Sequence, residues 1–392
     1  MNHIDSLSKD ILLRTQRLQD EMKKKNIDAC LLSSSVNIFY TVGSIYNGYF
    51  YLPVEGKAIH FIKRNSDVEI PNHINIRKPE QIADELQKLE IELPKRVLLE
   101  TDTLSYSECN RIISALDVEE IENGSTLLRK IRSIKSDFEI SQIKQCANKH
   151  VEVYKQIPSL YIAGMSDLYL QYEIEFLMRK SGSIGIFRSY GPNMDIYMGS
   201  LLVGENAQSA SPFDFALGGQ GTSPILPLGA SGITIKEGNS IMVDMAGNYS
   251  PWMTDITRVF SVGKVSDLAY KAHQVSIEIH NEILAMAKEG TPCADLYNKA
   301  INIVAKNKLE NYFMGTRQQA KFIGHGVGLE INEPPVLAPR SKELLQINTV
   351  FALEPKFVIP GVGAVGIENT YLTTSTGLTN LTVLEEQIID LT

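Results

Sequence analysis

Hydrophobic residues in the first third of the chain follow two patterns in turn. Some stretches have helical spacing, and others are short apolar runs. Apolar residues recur at helical spacing over residues 12–25, 80–90 and 106–116, which predicts three amphipathic helices. Between them, short apolar runs at residues 29–33 and 97–100 are typical of buried strands. Strands that alternate with helices along a chain indicate an α/β domain.

A different pattern follows this domain. Ser136 is followed three positions later by Glu139, the spacing of a helix capping box, and apolar residues then repeat on one helical face. A second long helix is expected over residues 267–288. Strand patterns around these helices predict an α+β domain. With 392 residues, the chain is long enough for two domains, which we place at residues 1–132 and 133–392.

Four carboxylates in the last third of the chain form two pairs, Asp244 with Asp255 and Glu354 with Glu368, and each pair flanks a turn signal. The runs around them are rich in Val, Ile and Phe, which predicts strands. A symmetric hairpin centred on each turn places the two members of a pair opposite, or nearly opposite, each other. Carboxylates at such positions are about 5 Å apart and repel strongly in a partly buried sheet unless a cation lies between them.

His325 is a fifth candidate ligand, because it lies in the glycine-rich segment 324–328, whose backbone can approach a site closely. One imidazole and four carboxylates exceed the needs of a single catalytic ion and suit two divalent ions about 3.5–4 Å apart. Oxygen-rich ligation with one nitrogen and no thiolate favours manganese, cobalt, iron or zinc. Alone, an acidic hairpin is more often a solvated surface feature, but the joint occurrence of these residues favours a metal site.

The composition argues against other classes of partner. With 38 basic and 46 acidic residues, the chain has a formal net charge of −8 and no basic stripe, which argues against nucleic acid or an anionic membrane as a partner. No apolar run suits a signal peptide or a membrane span. The four cysteines show neither metal nor redox spacing and are interpreted as reduced packing residues, so we expect a cytoplasmic protein.

Together, these motifs resemble those of the pita-bread metallopeptidases, a family that includes methionine aminopeptidase, aminopeptidase P, prolidase and creatinase. The resemblance implies a creatinase/prolidase-type N-terminal α/β domain followed by a pita-bread α+β catalytic domain. It also implies that Asp244, Asp255, His325, Glu354 and Glu368 bind two divalent metal ions, with manganese expected first. The matching segments are residues 37–43, 131–135, 242–244, 252–258, 324–328, 333–335, 353–355 and 366–370.

The resemblance further implies a peptidase similar to Xaa-Pro aminopeptidases and dipeptidases, which acts as a homodimer on short proline-containing peptides. Metal-activated water would attack the bond before proline, with Glu354 as base and proton shuttle. Two histidines usual in the family are missing, because Asn332 stands in one place and residues 226–228 stand in the other. We expect Asn332 to take a catalytic and substrate-binding role as a neutral hydrogen-bond donor, with reduced or altered activity.

Two other functions stay open at this point. The missing histidines are compatible with hydrolysis or elimination on a small non-peptide substrate, carried out on the same fold. A non-catalytic binding protein is the other alternative, since this fold is also used for protein recognition. Retention of all five candidate ligands argues against the binding protein, which has no need of a costly acidic cluster.

Three further features are interpreted structurally. His273 and His280 lie on one face of the helix predicted over residues 267–288 and are interpreted as surface or packing residues. The glycine-rich segment 213–234 lacks the ending of a phosphate-binding loop and is expected to be a flexible loop beside the cleft. An aromatic cluster is interpreted as an exposed patch at a domain or dimer interface, or as a lid on the active site of a second subunit. Its members are Phe39, Tyr40, Tyr46, Tyr49, Phe50 and Tyr51.

Overall fold

The chain folds into two units, Met1–Arg132 and Ser133–Thr392. For residues 3–5 the backbone alone is described. Among the residues described, no helix has both the length and the apolar character that crossing a membrane requires. The computed structural model describes residues 3–64, 70–191, 197–213 and 216–392.

A mixed sheet forms the centre of the first unit. Its strands, within the described residues, are β1 (Ala29–Leu32), β2 (Asn47–Pro53), β3 (Ile59–Arg64), β4 (His73–Asn75), β5 (Arg96–Leu99) and β6 (Glu120–Asn123). In space their order is β4-β3-β2-β1-β5-β6, and β1 is antiparallel to β2 but parallel to β5. The predicted α/β architecture of this unit is therefore confirmed.

Of the five helices described beside this sheet, three lie where the sequence predicts them, and those at Ser35–Val42 and Gly124–Ser133 were not predicted. The first helix begins at His3 rather than at residue 12, because Leu7 and Ile11 extend its apolar face to the backbone of Gly43. The helix predicted over residues 106–116 has these bounds in the structure. The helices are α1 (His3–Lys24), α2 (Ser35–Val42), α3 (Gln81–Lys88), α4 (Tyr106–Leu116) and α5 (Gly124–Ser133).

The prediction of an exposed aromatic patch is wrong, because these side chains lie inside the first unit. Side chains alternate between the faces of a strand, so Tyr49 and Tyr51 share one face of β2 and join the same core cluster. Tyr40 packs beneath the Arg14 guanidinium, which lies 4.7 Å from the ring centroid. The cluster therefore stabilises this unit and gives no support to a dimer interface. Tyr40, Tyr46, Tyr49, Phe50 and Tyr51 are buried, and Phe39 is half-buried.

The second unit combines long helices with antiparallel strands, which confirms the predicted α+β architecture. Its helices, where the chain is described, are α6 (Asp137–Tyr154), α7 (Asp167–Lys180), α8 (Asp267–Met286) and α9 (Cys293–Lys306), with short 3₁₀ helices at Ile157–Leu160 and Gly204–Gln208. Its strands are β7 (Gly199–Val203), β8 (Ser240–Gly247), β9 (Thr254–Ser261), β10 (Gly324–Gly326), β11 (Glu333–Val336), β12 (Val350–Leu353), β13 (Lys356–Ile359), β14 (Gly363–Gly366), β15 (Asn369–Thr374), β16 (Gly377–Asn380) and β17 (Ile389–Asp390).

These strands form three sheets within the described part of the chain. One sheet has the order β17-β9-β8-β7, a second has the order β11-β10-β12-β15-β16, and β13 pairs with β14 alone. Helix α8 packs small and branched side chains against this framework, and the small alanines allow a close approach. The buried face of α8 contains Ala269, Ala272, Val275, Ile279 and Ile283, which join α9 and strands β12–β14 in one core.

The predicted capping box at the start of α6 is confirmed. The Ser136 hydroxyl accepts a hydrogen bond from the Glu139 N–H (3.2 Å), and the Glu139 carboxylate accepts one from the Ser136 N–H (2.9 Å). The other carboxylate oxygen of Glu139 accepts a hydrogen bond from the indole N–H of Trp252 (3.1 Å), which is buried. The helix start is thereby tied to the loop between β8 and β9.

The glycine-rich segment 213–234 is irregular where it is described, and hydrogen bonds fasten it to the preceding 3₁₀ helix. The Asn206 side chain donates to the Gly229 carbonyl (2.8 Å) and accepts from the Gln220 N–H (2.7 Å). Gly221 has a φ of +64°, and a Cβ there would meet backbone atoms of residues 226–228. The segment borders a cavity of about 380 Å³. Its flexibility stays a prediction.

We predict that Ser136→Ala lowers the free energy of unfolding of the second unit by about 1 kcal/mol, because the helix loses its N-cap acceptor. Trp252 is the chain's single tryptophan and lies in this unit, so its fluorescence during urea unfolding measures the change. Ser141→Ala, at an exposed serine of the same helix, is the matched control and should change the free energy by less than about 0.5 kcal/mol. Equal effects of the two substitutions would contradict the capping role.

Candidate metal centre

The aspartates lie on the hairpin of β8 and β9, but they do not stand directly opposite each other. The register pairs Asp244 with Thr257 and Ala246 with Asp255, so the hairpin is centred one residue later than direct opposition requires. The two aspartates are therefore nearly opposite, as the sequence predicts, and the offset arises because the connecting loop is asymmetric about the turn signal. A displacement of two positions keeps both side chains on one face, as diagonal neighbours.

The glutamates lie opposite each other, as the sequence predicts, at a break between two strand ladders. On one side of the break Leu353 pairs with Asn369, and on the other side Lys356 pairs with Gly366. Both ladders share one register, which continues through Glu354 and Glu368. The break occurs where Pro355 interrupts the first strand, because proline has no N–H to donate to a ladder.

A serine of helix α8 closes the gap at this break. The Ser276 hydroxyl donates to the Pro355 carbonyl (2.6 Å) and accepts from the Ile367 N–H (3.0 Å). Pro355 directly follows one of the glutamates, and Ile367 directly precedes the other. The serine therefore fixes the separation of the two backbone segments that carry these carboxylates.

Lys356 places its ammonium group among three of the predicted ligands. Its Nζ lies 2.8 Å from Asp244 Oδ2, 2.7 Å from Glu354 Oε2 and 2.9 Å from Glu368 Oε2. An ammonium group has three N–H donors, so these contacts use all of them. The side chain is only 1% exposed.

The sequence analysis missed Lys356, although the chain carries a signal for it. Lys356 follows Glu354 by two positions, and alternate positions in a strand face the same side. The segment that resembles the family ends at Pro355, directly before this lysine. A lysine on the buried face of a sheet that already carries paired acids requires partners of opposite charge, and these acids are the nearest candidates.

His325 joins the remaining candidates to this cluster. Its Nε2 lies 3.3 Å from Glu354 Oε1, and potential ligand atoms of Asp255, His325 and Glu368 all lie within 4.8 Å of one another. Its Nδ1 lies 3.2 Å from the Gly326 carbonyl oxygen. A proton on Nδ1 would satisfy that carbonyl and leave the Nε2 lone pair available to a metal ion. The structure thus brings all five predicted ligands together, and their role as ligands stays a prediction.

The electrostatics of the cluster show an excess of negative charge. Burial and the neighbouring Glu368 and Asp244 raise the pKa of Asp255 well above its usual range. Burial also raises the pKa of Glu368 to about 8, although Lys356 opposes this change. Burial acts in the same direction on Glu354, but there Lys356 and His325 outweigh it and hold its pKa at about 2. One ammonium group therefore does not compensate all four carboxylates.

A divalent cation fits the carboxylate and imidazole groups that Lys356 does not neutralise. The Oε1 atom of Glu368 is buried and has no hydrogen-bond partner among the described residues. Glu368 belongs to the same group of potential ligands as Asp255 and His325. Carboxylate oxygens with one imidazole nitrogen form a donor set that suits manganese, cobalt, iron or zinc. A buried acceptor without a donor, next to these groups, is the arrangement that a metal ion would complete.

A second layer of contacts orients the carboxylates and was not predicted. Thr257 donates to Glu368 Oε2 (2.7 Å), and the Thr370 hydroxyl accepts from the Asp255 N–H (2.9 Å). The buried Arg258 guanidinium donates to the carbonyl oxygen of Glu368 (2.8 Å) and to its own neighbour Thr257 (2.8 Å). These residues fall within segments that the sequence comparison matched, but their spacing alone gave no sign of such contacts.

His273 and His280 are packing residues, in agreement with one of the two interpretations of the sequence. Both are buried on helix α8. The Gly366 N–H donates to His273 Nδ1 (3.2 Å), and His280 contacts the Tyr371 hydroxyl (2.8 Å) and the Ile367 carbonyl oxygen (3.2 Å). The two histidines therefore support the backbone just before Glu368, and His280 also contacts a side chain that follows it.

Asn332, which stands where the family usually has a histidine, holds a backbone segment. Its Oδ1 accepts hydrogen bonds from the Tyr190 N–H (2.7 Å) and the Ser189 hydroxyl (3.1 Å), and its Nδ2 donates to the Tyr190 carbonyl (3.0 Å). At the second such place, Leu228 is buried and Leu226 is half-buried. A catalytic or substrate-binding role of Asn332 stays a prediction.

We predict that His280→Gln makes the stability of the second unit less dependent on pH. Burial lowers the pKa of His280 from 6.5 to about 3, so between these values the unfolded chain binds a proton that the folded chain does not. Its contribution is complete above pH 6.5 and falls as the pH is lowered, by up to about 1.4 kcal/mol per pH unit. Urea unfolding followed by Trp252 fluorescence at pH 7.5, 6 and 5 should give the variant a shallower slope. Equal slopes would show that His280 takes up its proton in the folded protein.

Proteins named as peptidases are similar to this chain along almost its whole length. The Xaa-Pro dipeptidase of Pyrococcus horikoshii is 26% identical over 96% of this chain and 98% of its own length. The Xaa-Pro dipeptidase of Pyrococcus furiosus is 25% identical over 96% of this chain and 99% of its own length. Among solved structures, an Xaa-Pro dipeptidase from Bacillus anthracis has a TM-score of 0.78 at 24% identity and covers 97% of this chain and 99% of that one. At that identity the structural likeness shows the fold.

Family models match both parts of the chain. The model of the creatinase/prolidase N-terminal domain matches residues 14–134, and the model of metallopeptidase family M24 matches residues 141–375. The predicted pita-bread fold, with a creatinase/prolidase-type domain before it, is therefore confirmed. Because the second model matches more than half of the chain, the chain belongs to metallopeptidase family M24.

Proposed function

We propose that this chain is a metal-dependent Xaa-Pro peptidase that hydrolyses the bond before proline in short peptides. The observation that carries the proposal is the convergence of Asp244, Asp255, His325, Glu354 and Glu368 on one largely buried cluster. The full-length match to proteins named Xaa-Pro dipeptidases supports the choice of substrate. The non-peptidase alternatives have no comparable support.

The chemistry divides between a metal ion and the side chains around it. A bound divalent cation would polarise the scissile carbonyl and lower the pKa of a water molecule toward neutrality. We propose that Asp255, His325 and Glu368 contribute to holding such an ion. Glu354 is the proposed base, since the Lys356 ammonium group at 2.7 Å favours its ionised form and so leaves it without a proton.

Asn332 is proposed to act near the substrate through a neutral amide. Its bonds to Ser189 and Tyr190 hold that backbone segment and also fix the amide itself in one orientation. A neutral amide can donate to a carbonyl oxygen but supplies neither a proton nor a positive charge. Loss of an oxyanion donor lowers turnover by about 10²–10³ in other enzymes, so we propose slower turnover than in relatives that keep the histidine.

We propose three finer features on more limited support. Manganese is the proposed metal because the donor set is oxygen-rich with one imidazole. A cytoplasmic location is supported by the four cysteines, which are free and buried. The proposal of a homodimer rests on the resemblance to creatinase/prolidase-type peptidases, since the aromatic cluster that first suggested it is buried.

We predict that the manganese- or cobalt-reconstituted protein hydrolyses Xaa-Pro dipeptides, and that Glu354→Gln lowers kcat by about 10²–10⁴ because it removes the proton acceptor. Release of free proline from a set of Xaa-Pro and proline-free dipeptides measures this activity. Glu289→Gln, at an exposed glutamate of the same unit, is the control and should leave kcat unchanged. Absence of hydrolysis by protein that demonstrably binds metal would reject the peptidase proposal.

A further inference from the structure

Lys356 occupies a position where the sequence predicts a metal ion. Its Nζ lies 2.7–2.9 Å from oxygens of Asp244, Glu354 and Glu368. These carboxylates come from three separate places in the chain: strand β8 and the two segments at the break between the ladders. An ammonium group that binds three carboxylates from different parts of the chain acts as their common counter-ion.

This position does not admit a second ion while Lys356 is present. Divalent transition metals lie about 2.0–2.2 Å from carboxylate oxygens. An ion between these three carboxylates would therefore have to stand almost on top of Nζ. The side chain is 1% exposed and all three of its N–H donors are engaged, so withdrawal of the ammonium group would leave a buried charge without these partners.

Some potential ligand atoms of the cluster do not contact the ammonium group. Glu368 binds Lys356 through Oε2, whereas its Oε1 is buried without a hydrogen-bond partner among the residues described. Potential ligand atoms of Asp255, His325 and Glu368 lie within 4.8 Å of one another. These side chains are close enough to be drawn onto a single ion.

The charges support one ion beside the ammonium group. Four ionised carboxylates carry four negative charges, and a divalent ion together with an ammonium group supplies three positive charges. Each carboxylate then has a cationic neighbour: Asp244 has Lys356, Asp255 has the ion, and Glu354 has Lys356 beside His325. Glu368 lies between the two cations and uses one oxygen for each.

We infer that Lys356 replaces one of the two metal ions, so that this chain binds a single divalent ion, held by Asp255, His325 and Glu368. The two-ion site expected from the sequence is thereby changed into a site with one ion and one fixed ammonium group. The inference rests on the metal-binding part of the proposed function and does not depend on the substrate. It assigns Lys356 as a positioning residue for Asp244 and Glu354.

The test measures how many manganese ions the folded protein binds. Metal-free protein is dialysed against manganese(II), and the bound metal is measured by elemental analysis and by electron paramagnetic resonance. We expect about one ion per chain with the signal of an isolated manganese(II). Lys356→Ala removes the ammonium group, and we expect about two ions per chain with the signal of an exchange-coupled pair.

Two control variants separate charge at this position from general effects of losing a buried lysine. Lys356→Arg keeps the positive charge and should keep one ion. Lys135→Met removes the other buried lysine of this unit, which pairs with Glu333 at 3.0 Å, and should also keep one ion. Trp252 fluorescence establishes that each variant is folded before its metal content is compared.

Two bound ions in the unaltered protein, or none at saturating manganese, would overturn the inference. A folded Lys356→Ala variant that still binds one ion would overturn it as well. Should this variant not fold, anomalous diffraction from manganese-soaked crystals of the unaltered protein decides the matter. The expected map has one peak beside Asp255, His325 and Glu368, with Lys356 still in contact with Asp244, whereas two peaks would contradict the inference.

The outcome is separable from that of the proposed function, because the stoichiometry is measured without substrate. Protein that binds one manganese ion but does not hydrolyse Xaa-Pro peptides would reject the peptidase proposal and support the single-ion site. Protein that hydrolyses these peptides with two bound ions would do the reverse.

Discussion

The second unit depends on the neutralisation of four carboxylates that its sheets bring together. An ionised carboxylate without a partner in such a place costs several kcal/mol, so the strands that carry these acids are compatible with the fold only when positive charge lies among them. Lys356 supplies part of that charge from within the chain and in this way couples β8 to the break between the ladders. The same requirement explains why a cation is needed for the structure of this site as well as for its chemistry.

The backbone around the acids is held from outside by helix α8 and by Arg258. Ser276 spans the break, and His273 and His280 contact the backbone just before Glu368. Arg258 binds the carbonyl oxygen of Glu368. These groups are neutral or lie on the far side of the strands from the acids. Such support orients ligands without adding competing negative charge, and it is the usual role of outer contacts around a metal site.

Local sequence patterns predicted several elements of the fold and one of the two hairpin registers. The capping box of α6, the bounds of α4 and the register of the glutamate ladders follow from the spacing of a few residues, and the structure has them as predicted. The aspartate register differed because loop geometry, which the alternation of strand residues does not encode, set the centre of that hairpin. The burial of the aromatic cluster depends on which elements pack together, and the local pattern of these residues does not encode that. The placement of Lys356 did have a local signal, its spacing of two positions from Glu354.

The shared register of the two ladders limits how this part of the chain can vary. Side chains on a strand alternate between faces, so the loss or gain of one residue between Glu354 and Glu368 would turn one arm of the hairpin over relative to the other. The tip near Gly361 can change in length only when both arms keep their phase. Insertions and deletions in homologous chains should therefore be absent from the arms, while the tip accepts substitutions that preserve the left-handed backbone of Gly361 (φ +77°).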